Sequence, residues 1–506
     1  MLGEIIVVVV IIWVLVQRWK RKGMVRLSRV LGTTKCLWLP FVGHAYIFLG
    51  TDEDRMTTFQ KLGREAIENG GITTIWQGHK LYLMIADPVQ AEFVLKNCLE
   101  KDDTMKCLRV LTGNGSVFAP VSIWRPRRKI LAPTFSPKNL QHFVDIFSRQ
   151  SRVMVDRLRG EAGRGAFSIW KYITSFSMDS VCESTLGVRV RAQQQSEQPV
   201  LAAFARIMQL DAERLCQPWL HADPVYRLTR AHAAHTRART LIIDFVNQII
   251  TNKRRVLNED QRMNSKAETD QNAKHEGLRT FLELLIESSG GERGYSDLEL
   301  REETLVLVVA GTDTSAVGVA FAARLLAAHP RVQDAAYDEL QEVFGDSDRP
   351  IDSADLPRLK YLEAVIRETL RLYPPVPMIV RKVTKEVTLP SGVTLVKDCG
   401  LVINIWAVHR NRRYWGDDAD LFRPERFLDP TLDHPAKYMP FSCGPRACIG
   451  YQYAMLAMKT ALAALLRRYR VLPPTEEGGD APLRVCFDIM MKHVDKFTVK
   501  LEARTQ

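Results

Sequence analysis

The sequence predicts a mainly α fold with small β-sheets (α+β), set behind an apolar N-terminal segment. Three observations lead there. Long windows repeat apolar residues at three- and four-residue spacing, strand-like runs are few and short, and the two best helical windows stop at prolines, Pro330 and Pro374. The 506 residues are 46% hydrophobic and 25% charged, the composition of a folded protein rather than a disordered one. Seventy Lys and Arg against 58 Asp and Glu leave a net charge of +12, which suits nucleic acid, an anionic membrane or an acidic protein partner without choosing among them. Nine cysteines lie at no framework spacing, arguing against a disulfide scaffold and for a reducing compartment.

Taken in order, the chain starts with an apolar run from Ile5 to Val16 followed by Arg18, Lys20, Arg21 and Lys22. A cleaved leader would carry its charge first, so this order predicts a transmembrane anchor with the basic flank cytoplasmic. Leu2 to Trp19 as a helix spans roughly 27 Å, close to the hydrocarbon thickness. The expected division is an anchor at 1–22, a linker and start of the body at 23–50, and the body at 51–506. "KLYLMI" at 80–85 and "VTLPSGVTL" at 387–395 read as strands, the second folded over a Pro-Ser-Gly turn. Residues 257–277, almost wholly polar, read as a mobile surface connection. The longest helix is expected from Ser296 and Glu299, at capping-box spacing, to the stop at Pro330. Its middle, "AGTDTS" at 310–315, weakens helix propensity and sets Asp313 beside Thr314 in an apolar helix. That pattern fits either a kink with locally satisfied hydroxyls or a proton-transferring pair. In "LPRLKYLEAVIRETLRLYPPVP", Leu362, Val365, Ile366 and Leu370 share a face and Glu368 stands three residues before Arg371. Taken singly, such a pair is a surface feature worth a few tenths of a kcal/mol.

"FSCGPRACIG" at 441–450 holds Cys443 and Cys448 in a loop broken by Gly444 and Pro445, just ahead of the helical "YQYAMLAMKTALAALLRRY". A cysteine at a helix N-terminus is a good soft ligand as its thiolate, and Arg446 beside it can neutralise an anionic cofactor edge. Zinc would need further Cys or His partners that this segment lacks. The ordinary alternative for either residue is a buried structural thiol.

The same loop resembles the haem-binding F-x-x-G-x-R-x-C-x-G element of the cytochrome P-450 monooxygenases. "AGTDTS" resembles that family's oxygen-activating helix, "ETLR" its E-x-x-R pair, "FRPERF" at 422–427 its P-E-R-F element, and "WRPRRKILAPTF" its W-x-x-x-R helix. Five such motifs in order over residues 124–450 are highly specific. Similarity to the microsomal clan rich in fatty-acid hydroxylases extends to "WLPFVGHA" at 38–45 and "YWGDDADLFRPERFL" at 414–428.

The resemblance implies the cytochrome P-450 fold with an N-terminal transmembrane helix and a haem b cofactor. It makes Cys448 the axial thiolate, and places Trp124, Arg128, Arg381 and Arg446 around the haem propionates with Phe441 in the haem loop. Asp313 and Thr314 match the acid and alcohol that relay protons during dioxygen activation. Glu368, Arg371 and Arg426 match a buried structural triad. The thiolate donates electron density that favours O–O cleavage. The implied function is a monooxygenase inserting one oxygen atom into a lipophilic compound: a fatty-acid-like lipid, a pheromone-like molecule or a xenobiotic. The alternatives are a same-fold peroxide isomerase and a non-catalytic haem-containing binding protein. "TGNGSV", starting at Thr112, lacks the full dinucleotide fingerprint, so electrons from NADPH must arrive through a separate flavoprotein reductase, with a cytochrome b-type protein as a further donor. Arg127 and Lys129 are expected to help dock it. No nucleic-acid motif is present. The implied address is the endoplasmic reticulum membrane with the catalytic body cytosolic, and substrate is expected to meet loops at roughly 100–123 and 200–235. Ala310 stands where many clan members carry a glutamate that can esterify haem, so a non-covalent porphyrin is expected.

Overall fold

In the computed structural model, which describes residues 21–195, 199–266, 280–287, 295–429, 434–475 and 482–504, the first element is helix α1 (Lys22–Leu31). The expected anchor from Leu2 to Trp19 lies outside the described residues. Parts of the expected linker are pinned to the body: Ser28 Oγ and Thr74 Oγ1 lie 3.0 Å apart, and Thr34 Oγ1 donates to Glu65 Oε2 at 2.6 Å. Helix α2 (Asp52–Glu68) follows, opened by a capping box of Thr51 and Asp54.

The largest sheet has four strands, β1 (Ile72–Gln77), β2 (Lys80–Ile85), β3 (Met378–Lys382) and β4 (Gly400–Asn404), in the order β1-β2-β4-β3. Only β2 and β4 run parallel. The strand expected at 80–85 is β2, and its Leu81, Leu83 and Ile85 are fully buried. The stretch at 387–395 folds as expected but more sparingly, with Val387–Thr388 pairing Thr394–Leu395 around the turn.

Helices α3 (Val121–Leu131), α4 (Pro137–Leu158), α5 (Trp170–Val181), α6 (Pro199–Cys216) and α7 (Arg230–Lys266) build one side of the body. The expected mobile connection at 257–277 is corrected in its first half. Residues 257–266 continue α7, because extending an existing helix costs far less than starting one and this stretch is rich in good helix formers. The remainder, 267–277, lies outside the described residues.

Helix α8 (Asp297–Ala328) crosses the core, and its 32 residues at ~1.5 Å each make it long enough to span the body. Its start is the expected capping box of Ser296 and Glu299. It runs unbroken through "AGTDTS", where Thr314 Oγ1 donates to the Ala310 carbonyl at 2.6 Å and Ser177 Oγ to that of Gly311 at 3.2 Å. Burial thus overrides weak propensity. Among the described residues α8 alone is long and apolar enough to cross a membrane, and most of it is buried inside the protein. Helix α9 (Lys360–Leu372) ends just before Pro374 as expected, and α10 (Tyr451–Arg468) follows the cysteine loop. Near the C-terminus β5 (Val485–Asp488) and β6 (Met490–His493) form a tight hairpin whose apex, Ile489, has φ +60°. A β-branched residue there is strained and signals a local demand on the backbone.

Candidate functional site

The cysteine loop is held in an irregular path by its own backbone. Cys448 N–H donates to the Phe441 carbonyl at 2.9 Å, closing the loop on itself. Gly444 has φ +74°, and a Cβ there would sit 2.7 Å from the Leu95 carbonyl oxygen, so only glycine fits. The Phe441 ring meets Tyr451 edge-on at 4.6 Å, packing the loop's start against the first turn of α10.

This loop forms one wall of a cavity of 430 Å³, lined mainly by apolar side chains from β1, β2, α8, the 375–380 stretch and the β5–β6 hairpin. Cys448, Phe441, Trp124, Arg128, Arg446 and Thr314 all line it. All nine cysteines are free, and Cys448 alone is exposed, doing so as part of the cavity wall. Burial raises its thiol pKa, while the Gly450 N–H and the Arg128 charge act the other way. Cys443 is not in the wall; burial pushes its thiol up to about 11.

Cations crowd the same end of the cavity. Arg446 stacks on Trp124 with its guanidinium carbon 4.5 Å from the ring, and its Nη2 donates to the Ala119 carbonyl at 2.7 Å, leaving Nε and Nη1 buried without partners. Arg128 reaches the Ala447 carbonyl at 2.7 Å. Arg381 stands behind the wall, 1% exposed, with Nε unpartnered. Desolvation and then repulsion from Arg446 push Arg381 down to about 10, and desolvation, with Arg128 repelling, pushes Arg446 to about 10. Lys101, on the cavity wall, lies well below its ordinary value through burial and the two arginines. Buried cations left short of counter-charge are costly unless an anion joins them. The arrangement therefore fits a planar cofactor carrying carboxylates at its edge, laid against Cys448.

On α8, Ala310 and Thr314 share the cavity-facing side, as their four-residue spacing requires, while Asp313 points away from it. Asp313 Oδ2 instead lies 3.2 Å from Lys492 Nζ on β6.

Behind the loop, Glu368 and Arg371 are both fully buried and joined bidentately, Nε to Oε2 at 2.6 Å and Nη2 to Oε1 at 2.7 Å. Arg371 also donates to the carbonyls of His409 (2.8 Å), Ala419 (2.5 Å) and Leu421 (3.1 Å). Arg426 Nε approaches Glu368 Oε1 at 3.4 Å and its Nη2 donates to the Asp418 carbonyl at 2.6 Å. The surface-pair interpretation of Glu368 and Arg371 in isolation is thereby corrected: the chain from His409 to Arg426 covers them and uses their hydrogen-bonding capacity.

The profile of the family described as Cytochrome P450 matches residues 35–498. The chain belongs to the cytochrome P450 family. Among curated relatives it is 32% identical to cytochrome P450 4d2 of Drosophila melanogaster over 462 residues, 90% of each protein. It is 32% identical to cytochrome P450 4V2 of Homo sapiens over 85% of this chain and 82% of that one, and 31% identical to cytochrome P450 4c3 of Drosophila melanogaster over 98% and 93%. It is accordingly a monooxygenase, an oxidoreductase that uses haem held by a cysteine thiolate.

Two cysteines other than those of the loop test the choice of ligand in this P450. Cys486 lies with Asp52 and Asp488, their ligand atoms within 4.8 Å of one another, but it is absent from the cavity wall and burial pushes its thiol up to about 12. Cys216 touches the cavity yet sits at the end of α6, its thiol also pushed to about 12 by burial. Neither has the cation set that surrounds Cys448.

Arg127, expected at a docking surface, is buried instead. It donates to Glu299 at 2.8 Å, Glu303 at 2.9 Å and the Asn114 carbonyl at 2.6 Å, bolting α3 to α8. The sequence hid this because the two glutamates lie one turn apart on a helix some 170 residues away. Glu302 also explains "TGNGSV": Gly113 has φ +56°, and a Cβ there would overlap the Glu302 carboxylate. The expected 100–123 loop does line the cavity, but from 200–235 only Leu215 and Cys216 do. Sequence reasoning missed His409, whose Nδ1 donates to the Arg371 carbonyl at 3.0 Å while Nε2 accepts from Met439 N–H at 2.8 Å. That imidazole joins the cysteine loop to the Glu368–Arg371 pair.

Proposed function

We propose that this P450 is a membrane-anchored monooxygenase in which the Cys448 thiolate would ligate the haem iron and Trp124, Arg128, Arg381 and Arg446 would hold the haem propionates, with Phe441 fixing the loop. The supporting observation is the group of buried guanidinium nitrogens left unpartnered beside Cys448, the one exposed cysteine, in the cavity wall. Haem supplies, when bound, the electron-transfer and dioxygen chemistry that side chains lack. The chain's own residues orient and protect that chemistry. Mostly apolar walls exclude water and select a lipophilic substrate. Thr314, on the cavity side of α8, presents a hydroxyl to the reacting centre, and Asp313 next to it is the acid that renews its proton. Glu368, Arg371 and Arg426 keep the segment behind the loop in place. Ala310 offers no carboxylate for an ester, so the porphyrin is held without a covalent bond to the helix.

The anchor is assigned to 1–22, the start of the body to 23–50 and the catalytic body to 51–506, at the endoplasmic reticulum with the body cytosolic. Exposed Leu37, Trp38 and Phe41, the last 97% exposed, support a membrane-facing side. Gly78 lies close to both Phe41 and Pro218, which brings exposed Trp219 toward the same region. Electrons come from an NADPH-dependent flavoprotein reductase, with a cytochrome b-type donor as auxiliary, and exposed Arg125 and Lys129 on α3 suit an acidic partner.

The test is NADPH-dependent oxygen consumption by the purified full chain with and without reductase, alongside a spectral binding screen of lauric acid, a pheromone-like ester and an aromatic toxin. Reductase-dependent consumption raised by a compound that also shifts the spectrum supports the proposal. Consumption without reductase, or spectral binding that never yields product, contradicts it.

A further inference from the structure

Lys492 pairs with one carboxylate and neighbours a second that belongs to a different part of the protein. The first is Asp313 of α8, at 3.2 Å. The second is Asp488 of β5. In the hairpin register Lys492 opposes Cys486, which makes Asp488 its diagonal neighbour on the same face of the ladder. The surroundings limit what else can answer Lys492. Its residue is 9% exposed, and its ammonium lies 5.3 Å from the centroid of the Trp170 ring. The hairpin also touches substrate space, since Phe487, Ile489 and Met490 line the cavity and Met490 is two residues from Lys492 on the same strand. The strained Ile489 forms the apex between them.

We propose that Lys492 is a positioning residue for the proton-relaying acid: it holds the Asp313 carboxylate turned out of the cavity, and Asp488 competes with Asp313 for it. This rests on the relay role assigned above to Asp313. When Asp488 is ionised the ammonium is shared, and Asp313 can swing toward Thr314. When Asp488 is neutral, Lys492 belongs to Asp313 alone and the acid is held back. Asp488 has the environment to switch. Burial raises its carboxyl to about 6, Lys492 and Arg55 pull it down, and Asp52 and Asp313 push it up; Cys486, beside Asp52, completes the titratable groups around it. As the pH falls through that value Asp488 takes up a proton, so proton delivery slows on the acid side.

The experiment uses the full-chain holoenzyme with reductase and lauric acid as probe, reading the fraction of consumed oxygen released as peroxide from pH 5 to 8. The parent is expected to release more peroxide as pH falls through about 6. Asp488→Asn, permanently neutral, should show the high fraction at every pH; Lys492→Met should lose the break, and Lys492→Arg should keep it. A second readout needs no turnover: the infrared carboxyl band that disappears in Asp488→Asn should titrate near pH 6 in the parent and at higher pH in Lys492→Met. An unshifted band, or a Lys492→Met profile matching the parent while Asp313→Asn is impaired, overturns this inference alone. An Asp313→Asn enzyme indistinguishable from the parent overturns the relay role beneath it.

Discussion

Thr314 shows how much a single hydroxyl's setting matters. Its Oγ1 donates to the Ala310 carbonyl, which is how a threonine is tolerated in a buried helix, and it opens to the cavity from there. Replacing it with alanine should leave the helix intact and NADPH consumption running, while the share of oxygen lost as peroxide rises severalfold; equal product per NADPH in mutant and parent would refute its role. Asp313→Asn keeps the shape and removes the acid, so turnover should fall by ~10²-fold or more, within the range general acid catalysis supplies. Ala310 gives a different kind of expectation. Its methyl group lines the cavity with nothing to esterify, and acid-organic extraction should strip all haem from the denatured chain. Haem found on a peptide would mean another side chain bonds it.

Among the elements, the segment from α9 to the cysteine loop is where sequence and structure part most instructively. Capping residues and prolines marked the ends of α8 and α9, because helix termini must satisfy backbone groups locally. The strand at 80–85 was equally legible from its apolar run. Tertiary covering was not: whether Glu368 and Arg371 lie on a surface or at a core depends on chain 40 to 50 residues away, and only the family resemblance of "FRPERF" hinted at it. Arg127 was misjudged for the same reason, and His409 carried no local signal beyond being the first polar residue after the apolar "IWAV". Removing one partner of the fully buried pair should be severe. Glu368→Gln is expected to cost ~3–5 kcal/mol in denaturant unfolding and to lower haem content. Destabilisation below 1 kcal/mol would show the triad to be dispensable. His409 adds a pH dependence. Burial lowers it from the ordinary 6.5 to about 3, so it is neutral in the fold and cationic in the unfolded chain at mildly acid pH. The unfolded state then binds more protons, and stability falls as pH drops from 6.5 toward 3. His493, lowered to about 4 by burial, acts in the same direction. His409→Gln should flatten this acid limb of a melting-temperature profile, and an unchanged limb would assign it to other groups.

For the whole molecule, the proposal of lipophilic substrates and a membrane site rests on an apolar cavity, a cation-rich wall and an exposed apolar region near Phe41. Deleting residues 2–22 should shift the protein toward the soluble fraction, incompletely, because Trp38 and Phe41 remain exposed on the body. Undiminished retention after alkaline extraction would place the anchor elsewhere. The expectations that concern haem depend on one ligand. The most direct measurement is the carbon monoxide difference spectrum of reduced Cys448→Ser, with Cys443→Ala and Cys486→Ala beside it. Loss of the thiolate signature in Cys448→Ser alone is the predicted result, and its survival there, or its loss in Cys486→Ala instead, would contradict the assignment.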